Sequence, residues 1–245
     1  MEKEFCEKHG EYEVLKKELF GVEIKTECPD CAEEFEKSEQ AKQEQEANER
    51  AVRRLRSLNI EPMYFDASLK TFEAGSEEQK RALAYSQEMV GNRCGKLVLL
   101  GDHGTGKTHL AVGVVRELGG ALYTMYEITT RIRASYVGGA KETELDIVNE
   151  LARLPMLAID EIGRTKGSDA ETNWLSFLVD KRHTRGLPLI LISNKHTRKS
   201  CKEGGCGGCL ENYVSEDVLS RLSEDGHLVN MLGVDYRRKK RKEKS

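Results

Sequence analysis

Apolar positions divide this chain sharply. From about residue 96 onward, short apolar blocks recur: KLVLL (Lys96–Leu100), ALYTMY (Ala121–Tyr126), PMLAI (Pro155–Ile159) and LPLILIS (Leu187–Ser193). Blocks this short, bounded by polar residues, fit strands buried on both faces. Between them the period changes. HLAVGVVREL (His109–Leu118) spaces its apolar side chains as a helix packed on a sheet requires. Strand and helix in alternation predict an α/β fold, a parallel sheet flanked by helices, with strands over 97–100, 121–126, 156–159 and 189–193.

Ahead of this region the pattern is different. Residues 32–58, AEEFEKSEQAKQEQEANERAVRRLRSL, contain no Gly or Pro and carry no broad apolar stripe. They predict a charged helix that acts as a connector, because such a helix has no wide face to bury. Asn59-Ile60-Glu61-Pro62 then breaks it. The expected organisation is a small cysteine-bounded module at 1–31, a helical linker at 32–59, the main α/β domain at 60–236 and a basic tail at 237–245.

Length and composition bound the rest. A chain of 245 residues has room for one full α/β domain and a small appendage. The net charge is only −3, but its distribution is uneven: residues 31–49 are rich in Glu, Gln and Lys, and 237–244 are almost wholly basic. Such a tail suits either nucleic-acid contact or a solubilising terminus. No apolar run approaches the length of a membrane span, and MEKEFCEKHG has no signal-peptide core. The expectation is therefore a cytoplasmic protein whose seven cysteines are reduced. Clustered cysteines in that compartment point to metal.

The chemistry centres on GDHGTGKT, Gly101–Thr108, which satisfies G-x-x-x-x-G-K-[ST] at each fixed position. Gly101, Gly104, Thr105 and Gly106 supply a loop whose backbone N–H groups converge on phosphate oxygens. Lys107 would reach the β- and γ-phosphates of ATP, and the Thr108 hydroxyl would ligate Mg²⁺. A preceding strand and a following helix put the helix N-terminus against the phosphates. PMLAIDEIG, Pro155–Gly163, ends a buried strand in two carboxylates. Asp160 would hold the hydrated Mg²⁺, and Glu161 would orient or deprotonate the attacking water. Asn194 ends the next buried strand, where a polar side chain serves either as a water-holding γ-phosphate sensor or as a cap or turn residue. SEDVLSRL puts Arg221 on a short amphipathic helix, either solvated or offered to a neighbour's γ-phosphate.

The order GDHGTGKT, LAIDEIG, LILISN, VLSRL resembles that of AAA+ ATPases, and in particular DnaC-type replicative helicase loaders. The resemblance covers roughly 60–237 and takes in the lead-in EPMYFDASLKTF, Glu61–Phe72. It implies that Asn194 is the sensor-1 residue, that Arg221 is a finger acting across a subunit interface, and that Arg237 in VDYRR stands at the sensor-2 position. Arg182 also falls where the group carries an arginine, with no role attached. The implied activity is ATP-dependent loading of a hexameric replicative helicase onto single-stranded DNA, with self-association through the ATPase interface. The alternative is an IstB-type transposition helper acting on duplex DNA, which shares these motifs. A binding module with a vestigial nucleotide site is disfavoured by the intact Lys107, Thr108, Asp160, Glu161 and Arg221.

Two cysteine groups complete the reading. Cys6-Glu7-Lys8-His9 and Cys28-Pro29-Asp30-Cys31 are knuckles whose Cys₃His set suits tetrahedral Zn²⁺. A unit of this size has too little core to fold without such a staple. Four protein ligands leave no open position, so the site is structural and the unit is expected to dock a partner. Loaders of Gram-positive bacteria resemble this layout. His196, Cys201, Cys206 and Cys209 sit in a Gly-rich insertion, either a second zinc set or a reduced flexible loop. Cys94 is expected to bind nothing. For DNA, the candidates are Arg131, Arg133 and Tyr136 together with the tail.

Overall fold

The computed structural model describes residues 2–14, 16–19, 22–25, 27–164, 169–232 and 236. The chain forms two units, 1–54 and 55–245.

In the first unit, β1 (Glu2–Cys6) pairs antiparallel with β2 (Gly10–Val14), and β3 (Lys16–Leu19) pairs antiparallel with β4 (Val22–Lys25). The first turn closes on Gly10, whose φ of 85° a side chain would resist. Helix α1 spans Pro29–Ser57, with proline at its first position, where a missing N–H costs nothing. It starts earlier than its charged stretch suggested, so Cys31 lies in its first turn. Its exposed faces carry pairs one turn apart, such as Lys37–Glu33 at 2.6 Å and Lys42–Glu39 at 3.0 Å, each worth only tenths of a kcal/mol.

The end of α1 and the turn after it belong to the second unit: Leu55, Leu58 and Ile60 are buried in its core. After α2 (Glu77–Asn92) the strands β5 (Lys96–Leu100), β6 (Ala121–Thr124), β7 (Leu157–Asp160), β8 (Leu189–Ile192) and β9 (Gly226–Asn230) form one parallel sheet. Their order is β6-β7-β8-β5-β9. Helices α3 (Lys107–Leu118), α4 (Met125–Ser135), α5 (Glu144–Leu151), α6 (Asp169–Thr184) and α7 (Glu216–Glu224) make the crossovers.

The period of two along each strand sorts the core into layers. Leu97, Leu99, Ala158, Ile190 and Ile192 pack with Ala82, Met89, Leu110 and Val114 of α2 and α3. Val98, Leu100, Leu157, Ile159, Leu189 and Leu191 pack on the other side with Ile128, Ile147, Leu175, Leu178 and Val218 of α4 to α7. Both faces are covered, which is why these strands read as unbroken apolar runs.

Two sequence expectations change. The strand predicted over 121–126 stops at Thr124, whose hydroxyl accepts Glu127 N–H at 3.1 Å while the Glu127 carboxylate accepts Thr124 N–H at 2.6 Å. That capping box turns Met125 and Tyr126 into the first turn of α4. Strand β9 was not predicted. Val229 is its buried residue, and an edge strand with one buried side chain leaves little apolar signal.

Candidate nucleotide site and metal centres

The phosphate loop leaves the end of β5, which lies between β8 and β9. Gly101 has φ 118°, and a Cβ there would lie 2.2 Å from the carbonyl oxygen of Met231. Met231 N–H also donates to Leu100 O at 2.7 Å, so the exit of β9 is drawn against the start of the loop. Gly106, at the N-cap of α3 with φ 93°, faces the Phe72 ring, 2.6 Å from where a Cβ would sit. The lead-in segment therefore lies on the loop. Lys107 is 5% exposed, and its ammonium donates to the carbonyl oxygens of Gly101 (2.8 Å) and Asp102 (2.6 Å).

The Thr108 hydroxyl donates to Asp160 Oδ2 at 2.7 Å, and Asp160 Oδ1 accepts Glu161 N–H at 2.6 Å. Burial pushes the Asp160 carboxyl up, while the Thr108 hydroxyl and the Glu161 amide pull it back. A hydroxyl and a carboxylate meeting at the C-terminal edge of a parallel sheet are the oxygen donors a hydrated Mg²⁺ takes. These residues fit the ion, which supplies charge neutralisation for β- and γ-phosphate oxygens when bound. Glu161 has φ 62°, a left-handed backbone unusual for a side-chain-bearing residue, and its carboxylate pairs with Arg164.

Asn194 follows β8, is exposed, and lines a cavity with Gly101, Asp102 and Asn230. The neighbouring Ser193 hydroxyl donates to Ile162 O at 2.5 Å, tying the ends of β8 and β7 together. Arg221 sits on α7, with Asp180 at 3.2 Å and Glu224 at 3.5 Å, so within one subunit it is held by carboxylates. Arg237 lies outside the described residues. Tyr236 beside it donates its backbone N–H to Gly104 O (3.0 Å) and its hydroxyl to Glu73 O (2.9 Å).

Arg182 gains a role the sequence did not reveal. It is fully buried and donates to the carbonyl oxygens of Leu151 (3.0 Å), Leu154 (2.9 Å) and Pro188 (2.5 Å). Burial, with Arg185 nearby, lowers its pKa to about 10. It closes the C-terminal end of α5 and the approach to β8 from the core. The DNA candidates fare differently. Arg131 bonds Glu142 (2.8 Å) and Glu150 (2.5 Å), Arg133 lies 3.2 Å from Glu171, and the Tyr136 hydroxyl bonds Glu144. Each is paired with a carboxylate of its own domain, so a phosphate backbone would have to compete with those partners for the same side chains.

Both cysteine groups assemble. Cys6 and His9 flank the β1–β2 turn, and Cys28 and Cys31 flank the start of α1. His9 Nδ1 lies 3.8, 3.6 and 3.3 Å from the sulfurs of Cys6, Cys28 and Cys31, and the Cys6 and Cys31 sulfurs are 3.5 Å apart. Tetrahedral zinc, with bonds of about 2.3 Å to sulfur and 2.0–2.1 Å to nitrogen, needs ligand atoms roughly 3.5–3.8 Å apart. The backbone amides of Lys8 and His9 lower the Cys6 thiol to about 6, while the Cys31 thiol, hydrogen-bonded to that sulfur, is raised to about 11. The sequence reading missed Glu34. Its Oε1 lies 3.3 Å from His9 Nε2, the ring nitrogen facing away from the sulfurs, and it also pairs with Lys8. That carboxylate fixes the tautomer that leaves Nδ1 free to ligate. Glu34 stands three residues after Cys31 on α1, a legible signal once the helix start is known. His196, Cys201, Cys206 and Cys209 likewise bring their ligand atoms within 4.8 Å of one another. Cys94 is exposed and belongs to neither group.

A phosphate loop on β5, a Thr108–Asp160 pair one strand away across β8 and a five-stranded parallel sheet with covered faces define a P-loop nucleotide-binding protein of AAA+ architecture. The crystal structure of the DnaC helicase loader superposes with a TM-score of 0.57 at 23% identity, over 70% of this chain and 99% of that one. AMPPCP-bound DnaA from Aquifex aeolicus gives 0.57 at 23%, over 75% and 55%. The chain belongs to the family of IstB-like ATP-binding proteins, whose signature matches residues 33–244. The replicative helicase loader DnaC of Escherichia coli K12 is 27% identical over 165 residues, 62% of this chain and 66% of that protein. The DnaC of Buchnera aphidicola subsp. Baizongia pistaciae is 27% identical over 196 residues, 77% and 76%. A putative ATP-binding protein of insertion sequence IS21 from Pseudomonas aeruginosa is 26% identical over 152 residues, 61% and 55%. The match thus spans just under two thirds of the Escherichia coli loader. The resemblance drawn from motif order is borne out. Among the described residues, no helix is long and apolar enough to cross a membrane.

Proposed function

We propose that this protein is an ATP-hydrolysing loader that delivers a hexameric replicative helicase to single-stranded DNA in the cytoplasm. The observation that carries the reading is the Thr108–Asp160 pair beside the phosphate loop, on a sheet shared with DnaC and in a chain similar to it. ATP binds with its phosphates on Gly101–Thr108, and Lys107 leaves its carbonyl partners for the β- and γ-oxygens. Thr108 and Asp160 hold the Mg²⁺ shell. Glu161, released from Arg164, orients the attacking water, and Asn194 senses the γ-phosphate from the end of β8. Arg221 exchanges Asp180 and Glu224 for the γ-phosphate of a neighbouring subunit, which makes self-association part of the catalytic cycle. The contact of Tyr236 with Gly104 supports Arg237 as a sensor-2 residue.

Cys6, His9, Cys28 and Cys31 hold one structural zinc, and the module they fold, residues 1–31, docks the helicase. Residues 32–59 link it to the ATPase domain at 60–236, and the tail at 237–245 offers its run of basic residues to DNA. Glu161→Gln is expected to bind ATP as the wild type does and to lose hydrolysis by roughly two to four orders of magnitude, the worth of a general base. Single-turnover kinetics measures this, and undiminished turnover would remove Glu161 from the mechanism.

Retention of a purified hexameric helicase on the full chain tests the whole reading. Wild type should retain it with ATP, and Cys28→Ser/Cys31→Ser should not. A chain that ignores the helicase, assembles on duplex DNA and retains a transposase would be an IstB-type helper instead.

A further inference from the structure

The loop between β8 and α7 contains a second, independently built Cys₃His set. Its parts come from three places in the loop. His196 follows directly on the β8 exit and forms a parallel bridge with Cys209, its N–H donating to Gly208 O at 3.2 Å and its carbonyl accepting Leu210 N–H at 2.8 Å. Cys206-Gly207-Gly208-Cys209 forms a tight turn closed by Cys209 N–H on Cys206 O at 3.1 Å. Cys201 ends a short 3₁₀ turn over Arg198–Ser200.

The geometry is that of a metal knuckle. Cys206 N–H points at Cys209 Sγ (3.3 Å) and Gly208 N–H at Cys206 Sγ (3.2 Å), so backbone donors are aimed at both sulfurs. His196 Nε2 lies 3.3 Å from Cys206 Sγ and 3.6 Å from Cys209 Sγ, close to the separations tetrahedral zinc imposes. Gly208 is where the ring must pass: a Cβ there would stand 2.9 Å from His196 Cε1. The turn is also held from outside. The Asn212 side chain donates to Cys206 O at 2.7 Å, the Tyr213 hydroxyl donates to Gly207 O at 2.9 Å, and Leu210 is buried in the core. Cys209 itself is fully buried.

We propose that His196, Cys201, Cys206 and Cys209 bind a second structural Zn²⁺, which fixes one wall of a cavity beside the start of the phosphate loop. Three thiolates and an imidazole with no open position suit zinc in a structural role. The placement gives the consequence. His196, Cys201 and Cys206 line the same cavity as Gly101, Asp102 and Asn194. Tyr213 reaches the other side: its ring stands 3.0 Å from where a Cβ on Gly163 would lie, in the segment just after Asp160-Glu161. One metal would thus set the exit of the sensor strand and brace the segment following the catalytic carboxylates. This last step rests on the nucleotide reading above; the metal site does not.

Native mass spectrometry and elemental analysis of the full wild-type chain, purified without chelator, test it. The expected content is about two zinc ions per chain, falling to about one in Cys206→Ser/Cys209→Ser and to about one in Cys28→Ser/Cys31→Ser. Cobalt substitution of the wild type should give tetrahedral d–d bands of intensity for two sites. One zinc that disappears with Cys28→Ser/Cys31→Ser, a Cys206–Cys209 disulfide in the reduced preparation, or iron in place of zinc would overturn the site. Cys206→Ser should also weaken ATP binding several-fold; unchanged affinity would overturn the link to the cavity. A wild type that carries two zinc ions but binds no ATP would instead sink the nucleotide reading and leave the metal site standing.

Discussion

Replacing Lys107 by alanine is expected to weaken ATP binding by roughly 10²–10⁴-fold. The estimate follows from lost charge-assisted hydrogen bonds to two phosphate oxygens, each worth about 1.5–3 kcal/mol, at about 1.4 kcal/mol per tenfold. The position makes compensation difficult. The ammonium is buried against the Gly101 and Asp102 carbonyls, at the one place where the loop backbone converges with the N-terminus of α3. Calorimetric titration with a non-hydrolysable ATP analogue measures the loss, and the thermal midpoint of the variant checks that the loop's fold survives. Wild-type affinity in a folded Lys107→Ala would put the triphosphate elsewhere on the molecule.

Arg182→Ala should be the most damaging single change to stability, by about 3–5 kcal/mol. The carbonyls of Leu151, Leu154 and Pro188 would each lose a donor; Leu151 and Pro188 keep only a long backbone one at 3.4 Å, so each loss costs toward the lower part of the about 1–3 kcal/mol of an unsatisfied buried group. The cavity left by the side chain adds to this. Relief of a desolvated charge offsets part of it, since burial already lowers this guanidinium to about 10. Against a total stability of about 5–15 kcal/mol, the remainder leaves a marginal domain. The midpoint of thermal unfolding should fall by about 6–20 °C. Arg182→Lys should recover little, because one ammonium does not span three carbonyls set around a planar fork. A drop of only a degree or two would mean that water replaces the guanidinium at those carbonyls.

The contrast between these two residues describes what the sequence disclosed. Lys107 was legible because its role depends on neighbours within eight positions, and a local motif carries its own context. Asp160 was legible because a buried strand must end at the ligand edge of a parallel sheet. Arg182, in the charged run DKRHTRG, reads like a solvated helix end; only the packing of α6 against α5 turns it inward. Arg131 and Arg133 show a different limit: their carboxylate partners Glu142, Glu150 and Glu171 stand 11, 19 and 38 residues away, so nothing local reveals those pairs. Strand β9 escaped because an edge strand shows its exposed His227 and Leu228 as plainly as its buried Val229. The second cysteine group had irregular spacing, and only the His196–Cys209 bridge explains how its ligands meet.

Glu161 carries one further consequence. A left-handed backbone at a residue with a side chain costs of order 1 kcal/mol, which a glycine at the same place would not incur. The chain tolerates that expense beside Asp160, where a tighter fold was available by the simplest of substitutions. Selection for stability alone would favour glycine there; a carboxylate kept at an uncomfortable bend is what the water-orienting role proposed for Glu161 would require.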